Sequence, residues 1–176
     1  MAANGFTIQS EIHGEHHVKP WKVLRTPAEA GQTYDYVVCA HKAIDQDTVP
    51  KQLSPAVEDG KTTIVIIQNG VGNEAPFRSA FPKSTILTAV TWVGAIQNTP
   101  GIVQHLRVED TQIGLFPNEA GDQALEDERL STFTSLLNKG GTPFNVLPNM
   151  QIRRWEKVVY NVVSQNPSVF LLLLSI

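Results

Sequence analysis

Two lysine–asparagine pairs stand out as residues that could act on a polar ligand. The first is split between two apolar runs. Tyr34–Ala40 (YDYVVCA) is followed by His41-Lys42, and Thr62–Ile67 (TTIVII) by Gln68-Asn69-Gly70. In open α/β sheets ligands bind outside the carboxyl ends of strands, so Lys42 and Asn69 would share one rim. A lysine there can meet a phosphate, carboxylate or hydroxyl, and an asparagine can donate and accept hydrogen bonds. The plainer reading makes Lys42 a solvated loop residue and Asn69 the residue that turns the chain before Gly70. Spacing alone does not separate the two. The second pair is Lys157 and Asn161 in WEKVVYN, four residues apart and so on one face of a helix. A lysine beside an amide can hold a carbonyl or carboxylate, and partial burial would make it a usable general acid. An ordinary exposed helix face accounts for the same spacing.

His13, His16 and His17 are the remaining cluster. No thiol or acidic ligand is spaced near them to complete a metal site, and Gly14 among them suggests a surface loop. No metal is therefore expected. The acidic residues Asp45, Asp47 and Glu126-Asp127-Glu128 read as solvated faces. No Ser-His-Asp pattern, P-loop or G-x-G-x-x-G turn occurs in the chain.

Positioning these residues requires a β-rich α/β unit followed by a helix. Strands are expected over Phe6–Ser10 and Trp21–Arg25, then over the two apolar runs, of which TTIVII is nearly all β-branched and suits a strand covered on both faces. Val49–Val57 reads as helical within limits set by Pro50 and Pro55. Asn73–Phe81 reads as a short helix with Asn73 as its N-cap. Ser84–Gly94, Gly101–Val108 and Thr111–Phe116 read as an antiparallel meander turning at Pro100-Gly101 and Glu109-Asp110. Asp122–Asn138 is a helix with Leu125, Leu130, Phe133, Leu136 and Leu137 on its apolar face, ended by Gly140-Gly141. A short strand at Phe144–Leu147 and a helix from Asn149 to about Val163 complete the order, with a break at Pro167. A domain boundary is expected near Pro148.

Bulk properties narrow the classes. The 176 residues carry a formal net charge of -3, which gives no reason to expect a nucleic acid or an anionic membrane as partner. Cys39 is the single cysteine, which rules out an internal disulfide and suits a reducing compartment. The N-terminus lacks the pattern of a signal peptide, and the apolar run Val169–Leu174 is far shorter than the roughly 20 residues of a membrane span. A soluble cytoplasmic protein is the expectation.

Three segments in order resemble the ketopantoate reductase (2-dehydropantoate 2-reductase) family. They are the strand with Lys42-Ala43 leading to the QNGVGN turn (Gln68–Asn73), then TAVTWVGAIQNTPGIVQH (Thr88–His105), then WEKVVYN (Trp155–Asn161). The resemblance runs from about Asn4 to Val163. It implies NADPH-dependent reduction of 2-dehydropantoate, or a related 2-oxoacid, to pantoate for pantothenate and coenzyme A synthesis. It also implies that Lys157 matches the catalytic lysine and Asn161 a substrate-contacting asparagine, while Lys42 and Asn69 line the NADP(H) cleft. The fold implied is α/β: residues 1–148 as the remnant of a Rossmann-like domain without its first strand-turn-helix, and residues 149–176 as the start of a truncated helical domain. The sequence departs from the family in three ways. The pyrophosphate-binding turn is not present, the helical domain stops after about one helix, and Gln165 stands where the family has another asparagine. Residues 164–176 are expected to be foreign to the family. These departures predict an exposed sheet edge, self-association into a homo-oligomer, and no activity of the chain alone. The alternative function is a non-catalytic paralogue acting as a binding or oligomerisation module.

Overall fold

The computed structural model describes residues 4–165, so the apolar run Val169–Leu174 and the break expected at Pro167 lie outside the described residues. Seven strands form one sheet: β1 (Phe6–Ser10), β2 (Gly14–Val18), β3 (Tyr36–Cys39), β4 (Thr63–Ile66), β5 (Ile86–Thr99), β6 (Ile102–Leu115) and β7 (Phe144–Val146). Four α-helices accompany them: α1 (Val49–Leu53), α2 (Ala75–Ala80), α3 (Gln123–Lys139) and α4 (Met150–Gln165). The strand order is β2-β1-β6-β5-β4-β3, with β7 also on β6. β1 and β7 run parallel to β6 at different heights, alongside Ile102–His105 and Thr111–Ile113. The β3–β4 and β4–β5 pairs are parallel, as the Rossmann-like reading requires.

Strand alternation sorts the core into two layers. Ile64, Ile66 and Ile86 face α1 and α2, where they pack with Val49, Phe77 and Cys39. Val65, Leu87, Ala89 and Ile113 face α3 and pack with Phe133. All four residues of β4 are fully buried, so a run of β-branched residues is what this position demands. β3 is different. It has a partner on one side only and leaves Val38 50% exposed, so it is the edge strand of the described sheet and not a strand covered on both faces.

Several local expectations are corrected. Trp21–Arg25 is not a strand: it follows Pro20, pairs with no strand of the sheet, and leaves Trp21 and Val23 exposed. Asn73 does not cap α2. The residue before that helix is Glu74, and the Asn73 amide instead donates to the Asn69 carbonyl at 3.0 Å. The expected three-strand meander is a two-strand hairpin of 14-residue strands, in which Glu109 and Asp110 continue β6 opposite Val93 and Trp92. Thr111–Phe116 and the segment before it form one strand because β1 and β7 supply partners along the same edge. Only the Pro100-Gly101 turn holds as read.

On α3 the buried residues are Glu126, Phe133 and Thr134, with Leu130 and Leu137 half-buried beside them, while Leu125 and Leu136 are exposed. An acid takes a place that the apolar pattern assigned to leucine because Arg78 lies 3.9 Å from its carboxylate. Arg78 itself donates to the carbonyls of Ser84 (2.7 Å) and Phe116 (3.3 Å). Burial pushes the Glu126 carboxyl above the ordinary range, and Arg78 opposes that rise. The N-terminus of α3 is capped as a short side chain before a helix should be: Asp122 accepts from the amides of Ala124 and Leu125.

The segment leading into α4 passes close over β6. A Cβ on Gly114 would overlap the Leu147 carbonyl oxygen and sit 2.9 Å from Met150 Cγ. Gly114→Ala is expected to cost about 1–3 kcal/mol, as overpacking of a filled interior does. Urea unfolding should show the loss as a lower midpoint, and a neutral substitution would mean that the Leu147–Met150 segment sits farther from β6.

Candidate active site

The carboxyl ends of β3 and β4 lie side by side, with Cys39 paired to Ile66. Lys42 and Asn69 follow those ends, and both are exposed. Their loops are tied by a residue the sequence reading did not single out. Gln68 is buried, donates to the His41 carbonyl at 3.0 Å and accepts from the Gln46 amide at 2.6 Å. Beyond it, Gly70 and Gly72 take positive φ values of 106° and 78°, which glycine adopts without a steric penalty. The turn therefore presents the Asn69 side chain outward.

Helix α4 is fixed over this rim by Arg154, which is 1% exposed. Its Nε lies 2.5 Å from Glu74 Oε1 and donates to Thr88 Oγ1 at 2.7 Å. Nη1 donates to the carbonyls of Gln68 (2.8 Å) and Gly70 (3.0 Å), and Nη2 to that of Ile66 (3.3 Å). One guanidinium thus holds the end of β4, the glycine turn, β5 and the start of α2. Glu74 is fully buried and also accepts from Thr88 Oγ1 (2.6 Å) and Gln151 Nε2 (3.1 Å). Burial lowers the Arg154 pKa while Glu74 raises it. Arginine stays protonated throughout the working pH range.

Lys157 follows three residues later, almost one helical turn. Its ammonium donates to the Thr91 carbonyl on β5 and sits 5.1 Å from the centre of the Trp92 ring. Trp92 also meets Tyr160 edge-on, with ring centres 4.9 Å apart. Burial pulls the Lys157 pKa below the ordinary lysine value, and the positive charge of Arg154 adds to the effect. Asn161 lies one turn further along α4 and is half-buried. So Asn69 follows the end of β4, Lys157 meets the middle of β5, Asn161 stands one turn beyond Lys157 on α4, and Lys42 is on the loop after β3. No bond between the two lysine–asparagine pairs joins them directly among the described contacts. Glu74, Thr88, Arg154 and Gln68 were all missed from sequence.

The three histidines do not sit together in a loop. His13 lies in the turn between β1 and β2, and His16 and His17 belong to β2. His16 Nε2 donates to the His13 backbone carbonyl at 2.8 Å, and His17 Nδ1 is 3.2 Å from Thr7 Oγ1. Instead of pairing with its neighbours, His13 meets Glu109, with Nε2 and Oε2 2.6 Å apart.

A parallel sheet segment with helices on both faces and polar residues at its carboxyl rim defines a Rossmann-like α/β protein. The family model for ketopantoate reductase PanE/ApbA matches residues 1–118, and the chain belongs to that family. A 2-dehydropantoate 2-reductase of Halobacterium salinarum is 29% identical over 128 residues, covering 73% of this chain and 40% of the relative. A Schizosaccharomyces pombe protein, meiotically up-regulated gene 72 protein, is 26% identical over 171 residues, covering 89% of this chain and 29% of that one. The crystal structure of 2-dehydropantoate 2-reductase from Methylococcus capsulatus superposes with a TM-score of 0.78 at 25% identity, covering 96% of this chain and 52% of that one. The chain therefore spans about two fifths of the length of its Halobacterium relative and about half of this solved structure. Lys42 and Asn69 fall within the matched residues 1–118, and Lys157 and Asn161 fall beyond them.

Two outcomes follow from this geometry. Arg154→Ala strands the Glu74 carboxylate in the interior and should cost about 3–5 kcal/mol, a large part of the stability of an ordinary domain, measured by denaturant unfolding. Lys157 should titrate below 10.5 in a ¹⁵N-lysine NMR series, and that resonance should vanish in Lys157→Met. A Lys157 signal that follows the exposed lysines would show that its ammonium is not held against Thr91.

Proposed function

We propose that this chain carries the rim and the proton-donating lysine of an NADP(H)-dependent reductase of 2-dehydropantoate or a closely related 2-oxoacid. Such a reaction yields pantoate, for pantothenate and coenzyme A synthesis. The observation that carries the reading is Lys157 itself: a half-buried ammonium with a lowered pKa, held beside the carboxyl rim of a Rossmann-like sheet. The bound nicotinamide would supply hydride to the ketone carbon. As negative charge develops on the ketone oxygen, Lys157 Nζ stabilises it and donates a proton, giving the hydroxyl. Asn161, one turn along, would orient the substrate through hydrogen bonds. Only the protonated lysine can act, so the rate falls as pH rises through its lowered pKa.

Lys42 and Asn69 fit the flank of a dinucleotide by the chemistry of their donors: an exposed ammonium and an exposed amide beside a glycine turn. The sequence has no G-x-G-x-x-G turn to hold the pyrophosphate. The 176-residue chain is therefore proposed to be inactive alone. The row Ile152, Trp155, Val159 and Val162 on α4 is exposed and apolar, and it favours a second reading as a binding or oligomerisation module.

NADPH fluorescence titration separates the readings. The chain as given should bind weakly or not at all. A chimera extended at its N-terminus with the strand-turn-helix of a family member should bind saturably, and Lys42→Ala or Asn69→Ala should weaken that binding by about 10-fold or more, the worth of a charged or buried hydrogen bond. A folded chimera that binds neither NADPH nor NADH would sink the proposal and leave the module reading.

A further inference from the structure

We infer that His13, His105 and Glu109 form a divalent transition-metal site, on the face of the sheet opposite Lys157. Each of the three side chains offers a ligand atom, and these atoms lie within 4.8 Å of one another. The residues come from two places in the fold. His105 and Glu109 are four apart on β6, opposite Ala95 and Val93 of β5 across a register irregularity, and both line one cavity. His13 arrives from the β1–β2 turn, 96 residues before Glu109, because β1 pairs with β6 and sets Ser10 beside His105.

The second observation is on His105. The residue is 9% exposed, and its Nε2 is buried with no hydrogen-bond partner. An unpartnered polar atom in the interior is costly unless it has a use. Its other nitrogen, Nδ1, is 2.9 Å from Ser10 Oγ. When Nδ1–H donates to that hydroxyl, Nε2 presents its lone pair, which is the tautomer a metal requires, and the hydroxyl is the kind of outer partner that orients metal-binding histidines. Ser10 Oγ also accepts from the backbone amides of His13 (3.0 Å) and Ile12 (3.3 Å), which ties the turn that carries His13 to the residue beside His105. The two rings stack nearly parallel, with centres 6.0 Å apart and planes at 17°.

Two imidazoles and a carboxylate are a zinc-type donor set that leaves a position for water. Metal–ligand bonds near 2.0–2.2 Å place tetrahedral ligands roughly 3.3 Å apart. The present spacing needs adjustment by side-chain rotation, which the turn residue His13 and the half-buried Glu109 can make. An entry path exists. The cluster opens into a cavity of about 680 Å³ that His16, Val93 and Lys139 also line. Trp92, which carries Lys157, and Val93, which lines this cavity, are successive residues of β5 and point to opposite faces. An ion here would staple the β1–β2 hairpin to β6 without touching the proposed reducing site.

The test is Zn²⁺ titration of the untagged, chelator-treated chain against a chromogenic chelator, with the thermal midpoint followed in parallel. One equivalent of saturable Zn²⁺ and a raised midpoint are expected. His13→Gln, at the exposed turn, and the isosteric Glu109→Gln should each weaken binding at least about 10-fold while the metal-free thermal midpoint stays near the parent's, and Ser10→Ala by about 10–100-fold. His17→Ala should bind as the parent does. The inference is overturned if no saturable binding occurs up to millimolar Zn²⁺. It is equally overturned if binding survives in His13→Gln and Glu109→Gln but is lost in His17→Ala, since the ion would then be held by the histidines of β2.

Discussion

The buried pair of Arg154 and Glu74 is the constraint on which the rest of the site depends. Neither charge reaches solvent, and removing two ions from water is expensive unless both are well paired and their remaining hydrogen-bonding groups are satisfied. The guanidinium meets that demand by engaging three backbone carbonyls and a threonine hydroxyl besides the carboxylate, whereas the carboxylate concentrates its contacts on Oε1 and leaves Oε2 without a partner. Of those carbonyls one belongs to the last residue of β4 and two to the turn that follows it. The arginine therefore completes the ladder at the end of β4 and, in the same act, fixes α4 over it. Lys157 inherits its position from this arrangement, and so does its electrostatics. The neighbouring positive charge and the partial burial both come from the seat that Arg154 makes.

The elements that sequence reading located correctly were those with strong local signals. TTIVII could only be a covered strand, Asp122 could only precede a helix, and Pro100-Gly101 could only turn. What escaped was set by distant partners. Glu109-Asp110 looks like a turn until β1 and β7 are known to lie along the same edge of β6. Glu126 looks solvated until Arg78 is known to face it. Trp21–Arg25 has strand-like composition, but it pairs with neither edge strand of the described sheet.

The same division runs through the site. Lys42, Asn69, Lys157 and Asn161 stand out as candidates because they sit in short motifs that resemble a family, and the assignment to ketopantoate reductase PanE/ApbA rests on residues 1–118, which include the first two. The residues that position them were not. Glu74, Thr88 and Arg154 are separated by up to 80 positions and meet only in the folded sheet. A paired buried charge has no periodicity to betray it. Nor does a histidine whose carboxylate partner comes from another strand: His13 was weighed against its sequence neighbours, whereas its companion in space is Glu109.

The β5–β6 hairpin has a consequence for how the chain reaches this structure. Its two 14-residue strands are joined by a two-residue turn, so their pairing closes small loops and can form on the microsecond scale typical of hairpins. The pairing of β1 with β6 closes a loop of about ninety-five residues and carries a greater entropy cost before any contact rewards it. Assembly is thus ordered by chain separation. The long hairpin provides a template, and the N-terminal hairpin must find one flank of it late. Whatever fastens that flank acts on the last step of folding and the first step of unfolding, and so governs how long the native state lasts more than how fast it forms.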